Sequence, residues 1–247
     1  LVDASKTTDL ALLYSYLLRV SALKPLKEAW KAHITRKGMD LISDNSKVDT
    51  LIDDLLALRA KLYHILEAGF QLSEEFSSAL KDSFEAFINS KQDAPAELLA
   101  KYVNSKLRAG NKKVSNDVEL DTMLDNALTI FRYLNGKDTF EAFYKKDLAK
   151  RLLLGKSISI DAEKTMIAKL KAECGVSFTS KMEGMFKDVD SSKDITAEFL
   201  AYLENKHFQT SISSSIHVLA TGFWPSSQPV ELQLPRELAT LQEKFHE

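Results

Sequence analysis

The sequence predicts a mostly α-helical chain, packed as an antiparallel bundle or a helical solenoid and ending in the first strands of an incomplete sheet. Three observations carry that reading. Apolar residues recur at three- and four-residue spacing from Thr8 to about Glu204, the repeat of an amphipathic helix face. Only eight Gly and five Pro punctuate 247 residues, which excludes collagen, glycine-rich phosphate cradles and most all-β layouts. After His207 the apolar period changes to two, as in an extended chain.

The elements follow in chain order. Leu10 to Leu18 is apolar but lies between Asp9 and Arg19; it is too short to span a bilayer, and no membrane is expected. The chain opens on Leu1 without a signal-peptide pattern, which reads as a cloning or processing boundary. Leu51, Leu55, Leu58, Leu62, Ile65 and Leu66 form one helical stripe that stops at Gly69. The polar run NSKQDAP, 89–95, is the best domain boundary. Asn116 with Glu119 three residues on resembles a capping box. Leu124, Ala127, Leu128, Phe131 and Leu134 make the next stripe, and Phe140, Phe143, Tyr144, Leu148 and Leu152 another. Met166, Ile167, Leu170 and Cys174 repeat it, and Gly175 stands where a helix C-terminus wants a left-handed residue. Eight to ten helices are expected, each with one apolar face that must be covered by another.

Two strands follow a second break at 205–215. Ile216, Val218, Ala220, Gly222 and Trp224 are small or apolar on even positions. Val230, Leu232 and Leu234 alternate with Glu231 and Gln233 between Pro229 and Pro235. A lone two-stranded ribbon is marginal in water, so the sheet must be completed by further chain or by a partner.

Catalytic signals are sparse. The five His (33, 64, 207, 217, 246) show no i, i+4 ligand pairing, and there is no GxGxxG, P-loop or GxSxG. The single Cys174 excludes a disulfide framework and fits a small hydrophobe at a helix end better than a nucleophile. No catalytic residue, metal site or cofactor is assigned. Charge is more useful. Net charge is −2, yet Lys101, Lys106, Arg108, Lys112 and Lys113 occur from 101 to 113 with no acid, and 143–171 holds eight bases against three acids. The plain reading is a solvated helix face; the sharper one is a landing surface for an acidic partner, acting mainly on association rate.

The stretch GKDTFEAFYKKDLAKRLLLGKSISIDAEKTMIAKLKAECGVSFTSKMEGMFKDVDSSKDI, 136–195, resembles the cullin homology region, in wording nearest the family's fourth paralogue. PAELLAKYVNSKLRAGNKK (95–113) and SIHVLATGFWP (215–225) resemble the same family on either side. The resemblance implies a third cullin repeat of stalk helices over 1–92, a four-helix bundle over 93–206 and the start of an α/β subdomain over 207–247. It implies a non-catalytic scaffold of a cullin-RING ubiquitin ligase in nucleus and cytoplasm. A RING-finger subunit would add a strand at Ile216, Val218, Ala220 and Trp224. Its ubiquitin-conjugating enzyme would use Lys106, Arg108, Lys112 and Lys113 as the counterpart of the family's basic groove. The substrate adaptor docks on the first two repeats, and regulators such as the exchange factor or the deconjugating signalosome are further implied partners. Those two repeats, the later strands and the winged-helix domain with its modified lysine fall outside this chain, so no lysine here takes that role.

Two rivals come from other classes. One is a helical nucleic-acid or membrane-surface binding module using the basic segments; near-neutral charge and the lack of interleaved aromatics weigh against it. The other is an enzyme using Cys174, which thiol protection in native buffer would reject.

Overall fold

The computed structural model describes residues 2, 6–44, 48–110, 117–208, 210, 212–226 and 232–246, apart from the side chain of Asp117. Among the described residues there are ten α-helices: α1 (Thr7–Arg19), α2 (Leu23–Ser43), α3 (Leu51–Phe70), α4 (Glu74–Ile88), α5 (Ala94–Leu107), α6 (Asp117–Phe131), α7 (Lys137–Leu153), α8 (Ile160–Cys174), α9 (Val176–Asn205) and α10 (Arg236–His246). The expected capping box rests on Asn116, which lies outside the described residues. No helix of the described residues is long and apolar enough to cross a membrane. Packing divides the chain into two compact units, 1–106 with 111–144 and 107–110 with 145–247.

In the first unit α1 packs on α3 and α2 on α4, with α6 also against α3. The core is aromatic. Trp30, 1% exposed, meets the Phe70 ring edge-on at 5.1 Å, and Phe70 stacks on Phe76 at 4.3 Å. The indole does not leave its polar end unsatisfied, because Trp30 Nε1 donates to the Phe76 carbonyl at 3.2 Å. α3 runs one residue past the expected stop at Gly69, and Gln71 takes the left-handed conformation instead (φ 52°). Gly69 serves proximity: a Cβ there would stand 3.3 Å from Leu10 Cβ on α1. The polar run 89–95 lies inside this unit. It forms a 3-10 turn, Asn89–Lys91. There Asn89 Nδ2 donates to the Tyr133 carbonyl at 2.8 Å, and Asn89 Oδ1 accepts from the Asn135 N–H at 2.9 Å.

The second unit gathers the end of α7, then α8, α9 and α10. Ser159 caps α8 by accepting from the Ala162 N–H, and Gly175 ends it at φ 85°, as its position in the sequence suggests. The turn between α7 and α8 is clipped to 107–110 by two backbone bonds, Ala109 N–H to the Lys156 carbonyl (2.7 Å) and Ile158 N–H to the Leu107 carbonyl (2.8 Å). Beneath that turn, Arg151 and Glu163 form an ion pair that is 2% and 0% exposed. The far end of α9 carries Phe199 and Leu203, which pack with Leu241 of α10 and with Tyr202, Phe208, Ile212, Ile216 and Phe245.

The expected strands are not seen among the described residues. Among the described residues 216–224 pairs with no other strand. The N–H groups of Ile216, Val218 and Ala220 are taken by side chains of α9, as set out below. Of the second expected strand, Pro229, Val230 and Glu231 lie outside the described residues, while Leu232 and Leu234 are described without strand structure and are exposed.

Candidate functional site

On α9, residues four apart fall on one face of the helix. Gly184, Asp188, Ser192 and Thr196 form such a row, and 216–224 lies along it. Thr196 Oγ1 accepts the Ile216 N–H at 3.1 Å. Ser192 Oγ accepts the Val218 N–H at 2.9 Å. Asp188 Oδ2 accepts both the Ala220 N–H at 2.8 Å and the Trp224 indole N–H at 2.7 Å. The Phe223 ring then rests on Gly184, where a Cβ would come within 2.5 Å of it.

The match has a geometric reason. Four residues of α-helix rise about 6 Å, and two residues of extended chain advance about 6.6 Å. Every second N–H of an extended segment can therefore meet every fourth side chain of a helix. The partners run 216, 218, 220 against 196, 192, 188, so the segment is antiparallel to α9. Each hydroxyl has one proton, and its nearer acceptor is the carbonyl four residues back on α9, Asp188 at 2.6 Å for Ser192 and Ser192 at 2.8 Å for Thr196; the Val218 and Ile216 carbonyls lie farther, at 3.4 and 3.1 Å. Ser192 is 2% exposed, and its hydroxyl is satisfied by donating to the Asp188 carbonyl while accepting the Val218 N–H.

The four residues expected to bind a partner strand thus lie along one stretch, in unequal surroundings. Ile216 is half-buried against the Phe199 group. Val218 is 45% exposed. Ala220 is exposed, and Trp224 is half-buried with its indole tied to Asp188. Sequence reasoning missed Gly184, Asp188, Ser192 and Thr196. The available signal was a mid-helix glycine followed by small or polar residues at every fourth position.

The basic residues divide. Lys106 belongs to the first unit and Arg108 to the second; Lys112 and Lys113 lie outside the described residues. Lys106 Nζ stands 4.6 Å over the Tyr102 ring, and the Tyr102 hydroxyl donates to Asp53 at 2.9 Å. Burial, with that acceptor beside it, pushes the Tyr102 phenol well above its ordinary range. Arg108 is exposed and its backbone bridges to Ser157. In 143–171 the positive surface is smaller than the sequence count. Arg151 is interior, and Lys164 and Lys171 pair with Asp190 (3.8 Å) and Glu183 (3.0 Å). Hydrogen bonds from Lys171 and Thr179 hold the Glu183 carboxyl below its usual range. Cys174 is half-buried at the end of α8.

Comparison with known proteins bears on what this arrangement serves. The family model of the cullin alpha solenoid domain matches residues 1–196. Cullin-4A of Mus musculus is 46% identical over 246 residues, covering 99% of this chain and 32% of its own length. Cullin-4 of Dictyostelium discoideum is 48% identical over 246 residues, covering 100% and 30%. Cullin-3 of the same organism is 40% identical over 244 residues, covering 97% and 32%. The chain spans about a third of the length of the curated relatives it matches.

Proposed function

The chain belongs to the cullin family, and from that premise we propose that it is the central part of a non-catalytic cullin-RING ubiquitin ligase scaffold. It holds a RING-finger subunit and that subunit's ubiquitin-conjugating enzyme at a fixed distance from a substrate adaptor. On this reading 1–92 is the last stalk repeat, 93–206 the four-helix bundle and 207–247 the start of the α/β subdomain, in a protein that works in nucleus and cytoplasm. Adaptor, exchange factor and deconjugating signalosome are partners of the whole protein.

The observation that carries the docking half of the proposal is the extended segment 216–220. It is tied to α9 by one backbone edge and presents exposed apolar side chains at Val218 and Leu219. An extended chain of this kind accepts a further strand by backbone pairing, with side chains supplying specificity. The RING subunit is expected to co-purify with the full-length protein as a 1:1 complex. Val218→Pro removes the N–H that Ser192 accepts and fixes φ. Capture should therefore be lost while helicity by circular dichroism barely changes. Full capture by that variant would remove the segment from the docking role.

The conjugating enzyme is assigned to Lys106, Arg108, Lys112 and Lys113 as a basic groove for an acidic tail, supported by the acid-free run from 101 to 113. Replacing all four with Glu should slow association of the conjugating enzyme several-fold at low salt. The difference should shrink as the Debye length falls to ~3 Å near 1 M. An unchanged rate at low salt would return these residues to an ordinary solvated surface.

A further inference from the structure

The polar run 89–95, the boundary expected from the sequence, holds a backbone conformation that an unconstrained linker would not keep. Gln92 stands at φ 42°, ψ −121°, a region that L side chains hold only where the surroundings fix it from both sides. Before it, Lys91 Nζ donates to the Ile42 carbonyl of α2 at 2.6 Å. The Asn89 carboxamide engages its neighbours as a peptide group would. Its Nδ2 donates to the Glu85 carbonyl at 2.7 Å and the Tyr133 carbonyl at 2.8 Å, and its Oδ1 accepts the Asn135 N–H at 2.9 Å. After Gln92, Asp93 Oδ1 accepts the Thr139 hydroxyl at 2.8 Å. Gly136 permits that approach, because a Cβ there would stand 3.0 Å from the same oxygen. Tyr133 is itself held: it is 8% exposed, its ring lies 5.1 Å from that of Phe84, and its hydroxyl accepts from Arg59 Nε at 3.2 Å. The run is therefore clasped to α2, to α4 and to the α6–α7 turn, all within the first unit.

We propose that Asn89 and Asp93 are positioning residues: their clasp on the α6–α7 turn fixes the direction in which α5 and α7 leave α2–α4, and so decides which lysine of a held substrate the conjugating enzyme reaches. This rests on the scaffold reading above and names where in this chain its fixed distance is set. A tether with one free joint samples many directions, and the effective concentration at any single lysine then falls. Misplacement far from the reacting atoms lowers the rate, because transfer needs a near-attack geometry. The chemistry of the clasp separates it from general packing. A carboxamide carries donor and acceptor on one planar group, and Asn89 uses both. A carboxylate of the same shape has no donor and would face two carbonyl oxygens. Glycine at 92 would loosen a linker, whereas in a clasped joint it adopts φ 42° without strain.

The test measures two quantities on the full-length protein. One is hydrogen exchange at the Asn135 amide. The other is ubiquitin transfer in the complete assembly, with the modified substrate lysines mapped by mass spectrometry. Asn89→Ala and Asn89→Asp should each speed Asn135 exchange about tenfold or more, because its acceptor is lost or its clasp opened. Both should leave capture of the RING-finger subunit and of the adaptor unchanged. Both should slow transfer to the preferred lysine about tenfold and spread modification over others. Thr139→Val should act in the same direction, while Thr139→Ser and Gln92→Gly should retain the rate and the choice of lysine. Should the Asn89 variants fail to fold, the Thr139 pair carries the comparison. A fast Asn135 amide with wild-type rate and lysine choice would make the clasp a stabilising feature alone and overturn the proposal. So would an Asn135 amide that stays slow in Asn89→Ala, or a Gln92→Gly protein that spreads its modification as a plain linker would. Each of these results would leave the scaffold reading standing. A wild-type assembly that transfers no faster than the RING subunit by itself would overturn both.

Discussion

Glu163→Ala is expected to destabilise the protein by about 3–5 kcal/mol, the range for removing one member of a buried ion pair. Glu163 is 0% exposed and Arg151 2%. Arg151 Nε donates to Oε1 at 2.6 Å and Nη2 to Oε2 at 2.9 Å, so the pair is bidentate, and Ser157 Oγ adds a third donor to Oε1 at 2.8 Å. A guanidinium stays charged at any accessible pH, so it cannot relieve its burial by losing a proton when the carboxylate goes. The effect should spread to the turn above. Ser157 sits in that turn, between the backbone bonds that clip Lys156 and Ile158 to Ala109 and Leu107. Urea denaturation followed by far-UV circular dichroism measures the loss. An Arg151→Met, Glu163→Leu double variant should recover most of it, because no unpaired charge remains inside. A loss below about 1 kcal/mol for the single variant would place the pair among ordinary solvated bridges.

That pair also marks where the sequence stops being legible. Arg151 and Glu163 lie on different helices, and in a one-dimensional reading both count as surface charges of the 143–171 run. Only packing reveals that they cancel in the interior. The helices themselves are readable, because their apolar stripes follow the 3.6-residue repeat and α3, α6, α7 and α8 bury most of those positions, with Leu58, Phe143 and Cys174 half-buried. Their ends are less so. Gly69 looks like a stop but is a close-packing residue, and Gln71 takes the strained turn.

The C-terminal segment shows a sharper limit. Period two fits 216–220, where every second N–H meets α9, but not 221–223, which form a turn with the Phe223 N–H on the Ala220 carbonyl. It does not report which groups take the backbone bonds. A neighbouring strand and a helix offering Asp, Ser and Thr at every fourth position leave the same alternating pattern in the segment. The deciding residues lie on α9, 20 to 36 positions earlier in the chain. Of the residues assigned to the basic groove, the described part of the molecule holds Lys106 and Arg108.

The scaffold proposed above would accelerate ubiquitin transfer by proximity, with the chemistry left to the conjugating enzyme. Tethering converts an encounter between charged conjugating enzyme and substrate into an intramolecular one, with an effective concentration of roughly millimolar. Against micromolar free components, that corresponds to a gain on the order of 100-fold or more. The measurement is the rate of ubiquitin transfer from a charged conjugating enzyme to an adaptor-bound substrate. It compares RING subunit alone, full-length protein alone, and the complete assembly. The account predicts a slow rate with the RING subunit, no added rate from the full-length protein alone, and a rise of about two orders of magnitude in the assembly. Transfer accelerated by the protein without the RING subunit, or an assembly no faster than the RING subunit by itself, would contradict it.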